Sequence, residues 1–133
     1  MEIKRVTGTL SVSPQISVAD ITEIAAAGFR SIVCNRPDGE GADQPIFDEI
    51  QGKARSLGLE ARYLPVVSGK VRDEDAAEFN VAMAELPKPV LAYCRTGTRS
   101  VTLWALSQGA STPVPDILAA AKSAGYDMGG VAR

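Results

Sequence analysis

The sequence predicts an α/β domain of three layers, with a mainly parallel central sheet flanked by helices, and three observations predict it. Short apolar runs of strand length alternate with segments of helical period along most of the chain. Glycine, proline and Asx residues mark nearly every change between the two. The 133 residues are enough for one sizeable core and too few for two, so residues 1–133 are expected to form a single domain.

Taken in order, residues 3–6 and 9–12 are alternating segments split by Gly8, expected as two edge strands or a hairpin. Ser17 and Asp20 have the spacing of a helix start, Ile21, Ile24 and Ala25 supply an apolar stripe, and Gly28 supplies a stop. Residues 29–34 then read as a buried strand, followed by the turn-rich loop 35–41. A second helix is predicted over 44–57, with Ile46, Phe47, Ile50 and Ala54 on one face, and a strand over 59–67. Residues 73–86 open with three acidic side chains suited to a helix N-terminus, and Pro87-Lys88-Pro89 ends that helix. The apolar run Val90-Leu91-Ala92-Tyr93 is the next strand, a helix follows from about Arg99, and a last helix is expected over 115–124. In a parallel sheet of this kind ligands bind beyond the carboxyl ends of the strands, which puts loops 35–41, 68–72 and 94–99 on one rim.

Composition narrows the function. A net charge of −2 with scattered basic residues gives no pull toward nucleic acid, and no apolar run is long enough to span a membrane. The first residues lack the pattern of a secretory leader, so a cytoplasmic address is the default expectation. There is no histidine, which excludes Ser-His-Asp and Cys-His nucleophile pairs and any histidine-based metal site. No cofactor is implied. The two cysteines, Cys34 and Cys94, do not make a disulfide framework.

Cys94 nevertheless stands where a thiolate becomes reactive. It lies between a strand and a helix, where unpaired backbone N–H groups and the positive end of the helix dipole converge, and Arg95 and Arg99 add charge. In Cys94-Arg95-Thr96-Gly97-Thr98-Arg99-Ser100, Cys94 is the expected nucleophile, and Arg99 is expected to close the loop on an anionic substrate. Arg95, Thr96, Gly97, Thr98 and Ser100 are candidate substrate-binding or loop-orienting residues, with Gly97 letting the chain curl where a Cβ would collide. Arg36 and Asn35 on the neighbouring loop are further candidates for substrate contact. Asp73 is a candidate general acid, set against the plainer reading of a helix first turn. Cys34 is read first as core, and second as a redox partner for Cys94.

Two reactions use such a loop. Phosphoryl transfer through cysteinyl phosphate needs a cradle of typically about five residues between cysteine and arginine. Sulfur transfer through a cysteine persulfide fits a shorter ring. Here four intervene, and a phosphatase further needs a general acid where persulfide transfer does not.

The cysteine loop with Tyr93 before it resembles the active-site loop of single-domain rhodaneses. Together with Asn35-Arg36-Pro37-Asp38-Gly39-Glu40, Leu64-Pro65-Val66 and the run from Leu86 to Cys94, the chain resembles the beta-lactamase hydrolase-like, phosphatase-like domain family over nearly its whole length. The resemblance implies the fold of dual-specificity phosphatases. It implies either phosphatase or sulfurtransferase activity, the latter alongside a persulfide dioxygenase partner. Tyr93 replaces the histidine that usually precedes a phosphatase cysteine. The expectation is therefore a sulfurtransferase that moves sulfane sulfur from thiosulfate or a glutathione persulfide to a thiol or cyanide. The alternatives are a cysteine-dependent phosphatase acting on a phosphate ester and a non-enzymatic anion- or persulfide-binding module.

Overall fold

The structure, a computed structural model, describes residues 2–108, 119–122 and 124–126. Among these, β1 (Lys4–Arg5), β2 (Leu10–Ser13), β3 (Ser31–Cys34), β4 (Glu60–Tyr63) and β5 (Val90–Tyr93) form one sheet in the order β1-β2-β5-β3-β4. The hairpin expectation holds for β1 and β2, which pair antiparallel, but β2 is not an edge strand. It lies parallel to β5, with Leu10 beside Val90 and Ser13 beside Tyr93. β5 in turn runs parallel to β3, and β3 to β4, so the carboxyl ends of all four longer strands point one way.

Alternation along the strands splits the core into two clusters. Val33, Val90 and Ala92 face one cluster with Phe79, Leu103 and Trp104, while Ile32, Leu91 and Tyr93 face the other with Ile21, Ile24 and Ile50. α3 (Asp73–Glu85) and α4 (Thr98–Gln108) supply the first layer, and α1 (Asp20–Ala26) and α2 (Phe47–Ser56) the second. Truncating a fully buried side chain such as Ile32 to alanine is expected to cost about 2–5 kcal/mol. Trp104 is buried in the first of these clusters.

Local chemistry sets the helix starts. Ser17 and Asp20 exchange backbone-to-side-chain bonds of 2.9 and 3.1 Å and close the turn that leads into α1. α2 begins later than its periodicity suggests, because the Phe47 amide is taken by the Asp38 carboxylate at 2.9 Å and residues 44–46 stay in the loop. Asp75 accepts the Arg72 amide at 3.0 Å, anchoring the first turn of α3. The strand predicted over 59–67 stops at Tyr63, since beyond it the chain turns to bond Asn35. Of the helix expected over 115–124, residues 119–122 are helical and 115–118 lie outside the described residues.

Candidate active site

β5 ends at Tyr93 and α4 begins at Thr98, which leaves Cys94 to Gly97 as the connection. Gly97 has φ +93°, and its N–H donates to the Cys94 Sγ at 3.0 Å, so the chain curls back over the sulfur. A Cβ at residue 97 would collide with the Tyr126 hydroxyl, which itself donates to the Thr96 carbonyl at 3.1 Å. Burial, and then the nearby Cys94 sulfur, push the Tyr126 hydroxyl up from its ordinary pKa. The arrangement offers a fully buried sulfur one backbone donor at the start of a helix, the electrostatic setting that favours an anion.

Arg99, on the first turn of α4, is buried and held from outside the loop. Its Nη1 donates to Glu40 Oε2 at 2.7 Å and to the Val66 carbonyl at 2.9 Å, and its Nη2 donates to Glu40 Oε1 at 2.8 Å. The Glu40 carboxylate pushes Arg99 further up, and Arg99, burial opposing, holds Glu40 below the ordinary carboxyl range. The Cys94 sulfur, after Glu40, pushes Arg99 up as well. Arg36 joins the cluster, with Nε on Glu40 Oε1 and Nη1 on Gln15 Oε1, both at 3.0 Å.

A cavity of about 480 Å³ opens beside this loop, lined by Ser68 and Val71, by Arg95 and Arg99, and by Thr102 and Leu106 of α4. Its described lining holds two arginines and no carboxylate, so it suits an anion attached to a partly apolar body.

Several expected contacts fall elsewhere. Asn35 is fully buried and its side chain is engaged within the protein: its Nδ2 donates to the Leu64 carbonyl at 3.0 Å and its Oδ1 accepts from Ser100 Oγ at 2.8 Å. Ser100 is thereby a strut and does not bond the sulfur. Thr96 and Thr98 bond each other at 3.0 Å, and the Thr98 amide turns to the Thr96 hydroxyl, so both orient the loop. Arg95 is exposed on the cavity wall. Arg36 is buried against Glu40 rather than open to substrate. Asp73 is exposed in the first turn of α3 and is not among the cavity's described lining, which favours the helix-first-turn reading. Asp75 is engaged by Arg72, which holds its carboxyl below the ordinary range.

Cys34 packs in the core cluster of Tyr93 and donates to the Arg36 carbonyl at 3.2 Å, and burial pushes its thiol up. Both cysteines are free. Glu40, Tyr126 and the Val66 carbonyl are the contributors that sequence reasoning missed. Glu40 carried one signal, a carboxylate on the same rim loop as Arg36.

Among the described residues no cluster of histidine, cysteine or carboxylate side chains could hold a metal, and no helix is long and apolar enough to cross a membrane.

The family described as beta-lactamase hydrolase-like protein, phosphatase-like domain, matches residues 2–111. A beta-lactamase hydrolase-like protein of Agrobacterium fabrum is 32% identical over 130 residues, covering 96% of this chain and 30% of the relative. The chain thus spans under a third of that relative's length. A provisionally assigned phosphatase from Neisseria meningitidis has a solved structure that is 36% identical, with a TM-score of 0.88 over 98% of this chain and 93% of its own. The core catalytic domain of a PP-IP phosphatase from S. cerevisiae shares the fold, at 13% identity and a TM-score of 0.70 over 94% of this chain and 76% of its own.

Proposed function

We propose, since this chain belongs to the beta-lactamase hydrolase-like, phosphatase-like domain family, that it is a cysteine-based enzyme of the phosphatase-like kind with Cys94 as nucleophile. The observation that carries the reading is the Gly97 N–H bonded to the Cys94 sulfur at the start of α4, with the Arg99 guanidinium beside it. On this reading a phosphate ester places its phosphoryl oxygens on loop amides and Arg99. The Cys94 thiolate forms a bond to phosphorus as the ester P–O bond breaks, and the leaving oxygen takes its proton from water. Water then attacks phosphorus, the S–P bond breaks, and inorganic phosphate leaves with the thiolate restored. With no carboxylate on the described cavity wall, leaving groups stable enough to depart before they are protonated are favoured, such as nitrophenolates.

A second reading, sulfur transfer, is favoured by one specific observation: four residues, not five, separate Cys94 from Arg99. There the thiolate attacks the sulfane sulfur of thiosulfate, the S–S bond breaks, and sulfite departs unprotonated. The outer sulfur of the Cys94 persulfide then passes to an acceptor thiolate or cyanide, and a persulfide dioxygenase is the partner class this chemistry would serve. The family and its solved relative support the phosphatase kind more than this reading, and simple anion carriage without turnover ranks third.

The deciding experiment compares rates on para-nitrophenyl phosphate and on thiosulfate with cyanide, in wild type and Cys94→Ser, with intact-protein mass after single turnover. A phosphoryl gain on Cys94 and a loss of at least about 10³-fold in Cys94→Ser are expected. A gain of one sulfur instead would move the conclusion to sulfur transfer. Unchanged turnover in Cys94→Ser would remove both enzymatic readings.

A further inference from the structure

A guanidinium carries five N–H bonds in a fixed plane. In Arg99 three are committed to protein acceptors: Nη1 gives one to Glu40 and one to the Val66 carbonyl, and Nη2 gives one to Glu40. Nη1 is therefore fully used. The bonds that no protein oxygen takes are Nε–H and the second Nη2–H, which run parallel along another edge of the plane. That edge is itself a fork that matches two oxygens of a phosphoryl or sulfonyl group.

Glu40 can hold the other edge because it is itself fixed. Arg36 donates to Glu40 Oε1 and to Gln15, and the Gln15 amide donates to the Arg95 carbonyl at 3.2 Å, which returns the chain of bonds to the cysteine loop. An arginine side chain left to itself samples many rotamers, and ordering it on each binding event costs affinity.

We infer that Glu40 is a positioning residue, whose two-point grip turns Arg99 so that its Nε–Nη2 edge is offered to the tetrahedral anion at Cys94. The inference rests on the reading that the Cys94 loop binds such an anion. The opposite role, a carboxylate that occupies the arginine and must be displaced, would require the ligand to use the edge Glu40 holds. The bond count leaves a complete second edge open with Glu40 in place.

The two roles differ in sign. Glu40→Gln keeps the shape, but it offers the guanidinium one acceptor in place of two and turns an N–H toward it. It also removes a negative charge, which by itself would strengthen binding of any anion. The probe is the rate at which iodoacetamide alkylates Cys94, followed by peptide mass in the full chain, as phosphate or sulfate is added. In wild type both oxyanions should protect Cys94. In Glu40→Gln the half-protecting concentration should rise by about tenfold or more, and Glu40→Asp, which keeps both charge and two oxygens, should recover part of the loss. Iodide, which has no pair of oxygens to match the fork, should protect the variant at least as well as wild type.

Equal or tighter oxyanion protection in Glu40→Gln overturns the positioning role while leaving the anion site intact. A parallel loss of iodide protection also overturns it, because a generally disordered loop then explains both. Failure of phosphate and sulfate to protect wild type overturns the anion-binding reading itself, and the Glu40 inference with it.

Discussion

Gly97 is the residue at which backbone geometry and chemistry are hardest to separate. Its φ of +93° is one that alanine adopts only with strain, and an added Cβ would meet the Tyr126 hydroxyl and lie 3.4 Å from the Ser13 carbonyl carbon. Gly97→Ala should therefore destabilise the fold by about 1–3 kcal/mol. It should also lower kcat/KM by about 10²-fold, because the N–H aimed at Cys94 moves. Tyr126→Phe removes the colliding oxygen but not the φ strain. In urea unfolding of the four proteins of a double-mutant cycle, the pair should cost less than the sum of the single changes. Strict additivity would mean that Tyr126 yields freely and that φ alone sets the cost. Glu40 makes a second test at this scale. Arg99, and secondarily Arg36, lower its pKa in the folded state, so its contribution to stability is present above the ordinary carboxyl value of 4.5. That contribution is lost as pH falls through the lower folded value. Between about pH 6 and pH 3 the urea midpoint of wild type should fall more steeply than that of Glu40→Gln, the Asp75 contribution being common to both.

At the scale of elements, Asn35 joins four pieces of chain at the carboxyl end of β3. Its amide donates to the Tyr93 carbonyl at 2.8 Å and its carbonyl accepts from Val66 at 3.0 Å, while its side chain ties Leu64 and Ser100. Asn35→Ala leaves the Ser100 hydroxyl and the Leu64 carbonyl without these partners, and a loss of about 2–4 kcal/mol is expected in urea unfolding. A loss under about 0.5 kcal/mol would show that water replaces both bonds. This joint also marks what could be read from the chain. β5 was legible to the residue, because Val90 to Tyr93 is a continuous apolar run bounded by proline and by the cysteine turn. The two-sided core was legible in outline from strand and helix periodicity. The rule that ligands bind beyond the carboxyl ends of parallel strands places Asn35 on the binding rim and leaves Ser100 a substrate-binding or loop-orienting candidate, whereas in the structure the two satisfy each other across 65 residues of sequence. The Glu40–Arg99 pair spans 59 residues, and Tyr126 reaches Thr96 across 30. Local period carries no record of such pairings. Those that join residues 35 and 40 to residues 99 and 100 follow from the order of strands in the sheet, which brings β3 beside β5.

The whole molecule carries a net charge of −2, yet its parallel strands deliver Arg36, Arg95 and Arg99 to one rim with Glu40 as the carboxylate bonded among them. On the proposed reading a chain that repels anions on average holds a local site for one, and because such a site exists only when the rim loops are assembled, the anion should stabilise the fold by mass action. At a phosphate concentration about 100 times its dissociation constant the gain is about 2.7 kcal/mol. For a domain of this length that corresponds to a rise of about 8–12 °C in Tm. Chloride at matched ionic strength should give only a small part of that shift, since it screens charge without matching the guanidinium fork. Arg99→Ala should abolish the phosphate-specific part, while Arg95→Ala, which removes an exposed cation from the cavity wall, should weaken it in a salt-dependent way. Scanning calorimetry of the three proteins in phosphate and in chloride reads all of these outcomes. An Arg99→Ala protein that keeps the full phosphate shift would place the anion elsewhere on the molecule and detach Arg99 from the site built around Cys94.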